Sequence, residues 1–314
     1  MARIIQEGYD FNDVLIVPKY NKVLSRKEVS FKTKVTKNHY IDIPFISANM
    51  DTVTEYAMAA SIGKLGGLGV IHRFMTIEEQ VKQIKKISEL GLLSAAAVGV
   101  KDVKERAEAL AEAEVNIIVI DIAHGHSKYA GKTLDYLKTA YPNIDIIAGN
   151  IATKDAAEYF LSKGADAVKV GIGPGKVCLT RKMAGVGIPQ LTAIMDVYEA
   201  TQGRIPIIAD GGIEEPGDVC KALGGGANSV MCGYIFAGCD ECPKVGIYRG
   251  SSSAGVKGEA SFIEGKEEKV EKKGPLEKTI KKYLEGLASG MTYIGANNLE
   301  KFIGKVDFIP KRSS

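Results

Sequence analysis

Three hundred and fourteen residues are too many for one small module and too few for two ordinary domains with linkers, so one large domain with a local excursion is expected. With 45% hydrophobic and 25% charged residues, and 41 basic against 38 acidic side chains, the chain is globular in composition and nearly neutral. That excludes a disordered, collagen-like or coiled-coil protein and calls for no nucleic-acid or membrane partner. The longest apolar runs, at 117–120 and 146–148, are far shorter than a membrane span, and residues 1–7 lack the apolar core of a signal peptide, so a cytoplasmic protein is expected. The five cysteines then read as reduced thiols. Cys239 and Cys242 have the spacing of a redox or zinc pair, but with no second pair they read as incidental thiols.

Residues 9–18 read as an N-terminal strand and cap. Eight β-rich runs follow, at 43–48, 66–72, 94–100, 116–124, 145–151, 165–173, 206–212 and 228–233, most of them apolar without alternation, as parallel strands buried on both faces are. Each leads into a helix-length segment. Ile77, Val81, Ile84, Ile87 and Leu90 recur every three or four positions among charged neighbours. Eight β-α units predict an α/β protein with a closed (β/α)8 TIM barrel, ahead of an open doubly wound sheet. After the eighth run, residues 251–274 hold five lysines, five glutamates and few core residues, and read as a solvated loop or mobile flap. A helix opened by Pro275 follows, with Leu276, Ile280, Leu284 and Leu287 on one face.

In a parallel barrel the chemistry gathers beyond the C-terminal ends of the strands. The sixth run opens into Gly171-Ile172-Gly173-Pro174-Gly175-Lys176-Val177-Cys178-Leu179-Thr180-Arg181, a tight glycine-rich loop with exposed backbone groups. Its thiol, near Arg181 and the strand-end dipoles, is a candidate nucleophile, whereas Cys220 and Cys232 read as buried small hydrophobes. The seventh run ends in Asp210-Gly211-Gly212 and the eighth in Gly233-Tyr234, where barrels bind phosphate through backbone N–H groups. Asp210 beside that cradle suits a ribose diol, and the two ends together point to a nucleotide. His124 and His126 beyond the fourth run have no convincing third metal ligand, so His124 reads as a substrate or cofactor contact. Asn150, at the end of the fifth, is placed for a ligand amide or hydroxyl, and His39 and His72 read as structural.

The loop at 171–181 resembles the signature of the inosine monophosphate dehydrogenase and guanosine monophosphate reductase superfamily. Segments at 9–18, 47–52, 120–127, 148–150, 185–190, 208–213 and 248–250 also resemble it, in the family's order, from about residue 8 to the C-terminus. The resemblance implies a single barrel domain with a mobile flap, assembled as a homotetramer. It implies that Cys178 attacks C2 of a purine nucleotide, GMP or IMP, with Thr180 and Glu264 as the proton-handling pair. Tyr248, Gly250 and Ser251 would close over the nucleotide bound at Asp210, Gly211, Gly212, Gly233 and Tyr234. Asp121, His124, Asn150 and Arg181 would face the nicotinamide cofactor, and the backbone of Gly173, Gly175 and Cys178 would suit a monovalent cation such as K+.

The superfamily contains two opposite reactions. Its dehydrogenases hydrolyse their adduct with water activated by an Arg-Tyr pair in the flap, and residues 251–274 hold neither Arg nor Tyr. That absence, the flap form Lys257-Gly258-Glu259 to Glu264-Gly265-Lys266, and Lys176 before Val177-Cys178 resemble the bacterial reductases. Only the helix at 77–90 separates Arg73 from Ser94, where dehydrogenases generally insert cystathionine-β-synthase-type modules. GMP reductase activity, converting GMP and NADPH to IMP, ammonia and NADP, is therefore expected. Tyr248-Arg249-Gly250 and the segment at 66–73 resemble the dehydrogenases instead, which keeps NAD-dependent oxidation of IMP as the alternative. A barrel that retains nucleotide binding without catalysis is the third reading, disfavoured by Cys178, Thr180 and Glu264 standing together.

Overall fold

The computed structural model describes residues 2–101, 103–253 and 263–311. A 3-10 turn (Phe11–Asp13) leads into β1 (Val14–Ile16), and a hairpin of β2 (Thr33–Lys34) and β3 (Tyr40–Ile41) follows. The barrel strands come next in chain order: β4 (Phe45–Ser47), β5 (Leu68–Ile71), β6 (Ala95–Val98), β7 (Ile117–Asp121), β8 (Asp145–Ile151), β9 (Ala167–Val170), β10 (Ile207–Asp210) and β11 (Ser229–Cys232). Each pairs in parallel with the next, and β11 pairs back onto β4, closing the barrel. Every one of the eight runs anticipated from the sequence holds one of these strands.

Helices α1 (Tyr56–Lys64), α2 (Ile77–Glu89), α3 (Val103–Glu112), α4 (Lys128–Ala140), α5 (Lys154–Ser162), α6 (Thr180–Met183), α7 (Gln190–Thr201) and α8 (Pro216–Gly224) lie between the strands and after them. The start of α2 is a capping box: the Glu79 amide donates to Thr76 Oγ1 at 3.2 Å while the Thr76 amide donates to the Glu79 carboxylate at 3.1 Å. Ile84 and Ile87 bury the inner stripe of that helix.

The apolar interior falls into two parts. Ile46, Leu68, Val70, Ala95, Ala97, Ile117, Val119, Ile147, Ala167, Ile208 and Met231 fill the barrel, and a larger cluster lies between the strands and the helical ring. Strand alternation puts Lys169 of β9 on the same inward face as Ala167, a charged side chain among apolar ones.

The barrel's lower end is closed by the β2–β3 hairpin. Asp145, first residue of β8, is buried and bonded to His39 at 3.0 Å, to Asn38 Nδ2 at 2.7 Å and to the Thr36 hydroxyl. His39 is thus structural, and so is His72, buried and 3.4 Å from Glu55.

Beyond the barrel run β12 (Ile247–Arg249), β13 (Glu267–Lys269), α9 (Leu276–Tyr293) and β14 (Phe308–Pro310), the last pairing antiparallel with β1. Here the structure corrects the sequence reading. The charged stretch read as a solvated loop or mobile flap pairs, at β13, antiparallel with β12, so a lysine- and glutamate-rich composition conceals a two-stranded ribbon. Lys257, Gly258 and Glu259 lie outside the described residues. No helix among the described residues is long and apolar enough to cross a membrane.

Candidate active site

The β9 strand ends at Val170, and the loop that follows must pass close to the end of β10. A Cβ at Gly171 would sit 2.0 Å from the Asp210 carbonyl oxygen, so no larger residue fits there. Gly211, at φ +92°, would put a Cβ 3.0 Å from Pro174 Cγ and 3.2 Å from the Gly175 amide nitrogen, which again locks the β10 end against the thiol loop. The loop then turns back, with the Cys178 amide donating to the Gly175 carbonyl at 2.9 Å. The thiol emerges half-buried and donates to Thr180 Oγ1 at 3.4 Å, at the start of α6.

Residues 263–266 are laid against this loop by backbone bonds. The Leu179 amide donates to the Glu264 carbonyl at 2.7 Å, the Lys266 amide to the Val177 carbonyl at 3.0 Å, and Gly265 bridges Cys178. On the other edge the Gly250 amide donates to Lys266 and the Glu264 amide to Ser252. Glu264 is thereby brought to the wall of the cavity that Cys178 and Thr180 line.

That cavity, about 380 Å³, opens at the C-terminal mouth of the barrel. Of the residues singled out in the sequence, it brings together Cys178, Thr180, Glu264, Asp210, Gly211, Gly233, Tyr248, Gly250, Ser251, Asp121, Asn150, Gly173 and Gly175. Tyr248 is buried; burial and the Asp210 carboxylate push its phenol well above the usual range, so the hydroxyl stays neutral.

Four anticipated residues stand outside that wall. Gly212 follows Gly211 at the edge of the wall, where a Cβ would meet Phe11 at 3.3 Å and Pro174 at 3.6 Å. Tyr234 lies under the Lys176 ammonium at 3.8 Å and beside Tyr248. His124 stacks edge-on with His126, ring centroids 6.4 Å apart. Arg181 is turned away from the thiol: its guanidinium forms a fork on Asp10, at 2.7 and 3.2 Å, and donates to the Ile188 carbonyl at 2.7 Å. Asn150 reaches the cavity, yet its amide is engaged by the protein, donating to Gly171 O and Asp210 Oδ2, both at 2.8 Å.

Two cations escaped the sequence reading. Lys169 bonds Asp210 from beneath the cavity, and Arg73 Nε lies 3.5 Å from Asp121. A lysine inside an otherwise apolar barrel strand was the available signal for the first. For Arg73, nothing local distinguishes it from a solvated surface arginine. Arg73 and Ile122 also line a second cavity of about 410 Å³, whose charged residues are Arg73, Lys101, Arg106 and a single carboxylate, Glu105. Among the described residues no group of three His, Cys, Asp or Glu side chains is placed to hold a metal.

Residues 8–314 match the family model described as IMP dehydrogenase / GMP reductase domain. The chain is 40% identical to the inosine-5'-monophosphate dehydrogenase of Borreliella burgdorferi, over 94% of this chain and 91% of that protein. It is equally identical to the enzyme of that name from Cryptosporidium parvum, over 97% of this chain and 92% of the relative. The Bacillus subtilis protein of the same name is 31% identical, covering 98% and 94% respectively. The alignment with the Borreliella protein spans 371 positions, more than the chain's 314 residues, so that relative carries segments this chain lacks.

Proposed function

Because the chain belongs to the IMP dehydrogenase / GMP reductase family of purine-nucleotide oxidoreductases, we propose that Cys178 is the nucleophile at C2 of a 6-oxopurine ribonucleotide and that the preferred reaction is oxidation of IMP to XMP with NAD. The observation that carries this reading is one cavity lined both by the Cys178 thiol, Thr180 and Glu264 and by Asp210, Gly211, Gly233 and Tyr248. The direction follows the names of the relatives, and it departs from the GMP reduction expected of residues 251–274.

In this reading the nucleotide's ribose hydroxyls donate to Asp210, its phosphate is met by backbone N–H groups at Gly211, Gly212 and Gly233, and Tyr248, Gly250 and Ser251 close the site. The Cys178 thiol passes its proton toward Thr180, and the sulfur adds to C2. The nicotinamide cofactor supplies the hydride acceptor. Loss of hydride leaves a thioimidate on Cys178. Water then adds at C2, its proton taken up through Thr180 and Glu264, and the C–S bond breaks to release XMP and restore the thiol.

Two adjoining cavities that share Arg73 and Ile122 support a reading in which the cofactor lies next to the nucleotide. Asp121 stands at that junction for the cofactor's ribose, with His124 on the loop beyond it, and Arg73, Lys101 and Arg106 suit its phosphates. Carbonyls of Gly173, Gly175 and Cys178 are hard oxygen donors suited to an alkali cation, which would brace the thiol loop.

A second reading, reduction of GMP by NADPH, is favoured by one specific observation: residues 251–274 hold no Arg or Tyr, while Glu264 is docked beside Cys178. There Glu264, through Thr180, protonates the departing ammonia, and hydride delivery to the thioimidate yields IMP. Absorbance at the nicotinamide band separates the two. The proposal expects NADH to appear with IMP and NAD; consumption of NADPH with GMP, and no reaction with IMP and NAD, would replace it by the second reading.

A further inference from the structure

Lys169 is 2% exposed and stands among the largest fully buried side chains of the protein, on a strand whose other members are Ala167, Val168 and Val170. An ammonium in that position carries a heavy desolvation cost unless carboxylates face it. Its Nζ donates to Asp210 Oδ2 at 2.6 Å and to Asn150 Oδ1, and lies 3.7 Å from Asp121 Oδ1. Burial pushes the ammonium's pKa down, but Asp210 and Asp121 outweigh it and the net shift is upward, so the charge is kept.

The division of oxygen atoms is the informative part. Asp210 Oδ2 receives both the Lys169 ammonium and the Asn150 amide, whereas Oδ1 takes no hydrogen bond from the described residues. Asp121 is divided likewise: Oδ1 faces Lys169 and Oδ2 faces Arg73 Nε at 3.5 Å. Both carboxylates line the cavity. Two carboxylates sharing one partly enclosed cavity repel each other unless a cation stands between them. Lys169 faces both of them and is itself part of the cavity's wall.

We propose that Lys169 is a positioning residue serving both nucleotide sites at once, its single buried ammonium fixing Asp210 toward the substrate ribose and Asp121 toward the cofactor ribose. The inference rests on the reading that these two carboxylates meet the two ribose diols. Lys169, only 2% exposed, acts through these two carboxylates. Asn150 belongs to the same device, because its amide completes the pair of donors on Asp210 Oδ2. The consequence is that one substitution beneath the cavity weakens two ligands, which substitution of either carboxylate alone does not.

Calorimetric binding to the full chain tests this, with IMP, its 2′,3′-dideoxy analogue and NAD titrated into the parent, Lys169→Met, Asp210→Asn, Asp121→Asn and the double variant Lys169→Met/Asp210→Asn. Asp210→Asn is expected to weaken IMP and spare NAD, and Asp121→Asn to do the reverse. Lys169→Met is expected to weaken both by about ten- to a hundredfold, the range of a charge-assisted hydrogen bond, while leaving the dideoxy analogue within about twofold of the parent. If Lys169→Met does not fold, the double variant, which leaves no unpaired Asp210 charge, decides: compared with Asp210→Asn, which spares NAD, it should bind NAD about ten- to a hundredfold more weakly. Lys169→Met binding IMP and NAD as the parent does, or a double variant that binds NAD as Asp210→Asn does, would overturn the inference alone. A parent that binds no purine nucleotide would overturn the reading of the cavity, and this assignment with it.

Discussion

The amide of Leu179 donates to the carbonyl of Glu264 at 2.7 Å, and that bond ties the segment beyond the eighth barrel strand to the loop that carries the thiol. Residues 85 positions apart in the chain are thereby held in register. The bond makes the position of Glu264 relative to Cys178 and Thr180 a property of the backbone, independent of how its side chain turns.

Glu264→Gln is therefore expected to keep the docked segment and the nucleotide affinity while turnover falls by about 10²- to 10⁴-fold, the range for loss of a positioned proton-transfer group. Steady-state rates beside calorimetric Kd values check this. A fall in affinity with kcat preserved would assign Glu264 to binding.

The five thiols should separate cleanly by reactivity. Burial pushes Cys220 and Cys242 up to about 12, raises Cys239, and holds Cys232 well above its ordinary value, so few thiolates form there near neutral pH. Cys178 is the half-exposed member. Iodoacetamide should label Cys178 first, and bound nucleotide should protect it; peptide mapping that finds Cys239 or Cys242 modified while activity persists would count against the nucleophile.

Replacing Asp210 by Ala removes a charge-assisted hydrogen bond worth about 1.5 to 3 kcal/mol, so nucleotide affinity should fall about ten- to a hundredfold. Equal affinity for parent and variant would put the ribose elsewhere.

How much of this was legible in the sequence differs by element. The barrel strands are apolar on both faces and stand between glycine-rich turns, so each was found. The glycines at 171–175 marked a tight loop with exposed backbone groups and Gly211 a phosphate cradle, while the close approach of the two became visible only in the fold. The ribbon of β12 and β13 was hidden because Glu267, Glu268 and Lys269 carry the composition of a solvated loop, and their pairing partner is set by tertiary contact. Arg181, next to Thr180, was assigned to a ligand because Asp10, its partner, lies 171 positions away. Lys169 went unread for the same reason: Asp121 and Asp210 come from other strands, and only barrel closure sets them around one ammonium.

At the opposite end of the barrel, burial pushes the Asp145 carboxyl up, but hydrogen bonds with His39, Thr36 and Asn38 outweigh it and hold it well below the usual carboxylate range. A folded-state value below the unfolded one, near 3.9, stabilises the protein above that pH, and the contribution is lost as pH falls through the folded value. Asp145→Asn should lower stability by about 1 to 3 kcal/mol at pH 7, and the gap to the parent should narrow below about pH 4. Thermal unfolding at the two pH values reads this directly; a gap that is the same at both would assign the cost to packing.

The central claim is a covalent bond between Cys178 and the purine, and acid-quenched intact-mass analysis of the protein turning over IMP and NAD tests it most directly. The account predicts a species heavier by the bound nucleotide, mapped to the peptide containing Cys178 and missing in Cys178→Ser. Turnover with no such adduct, or an adduct at another cysteine, would contradict it.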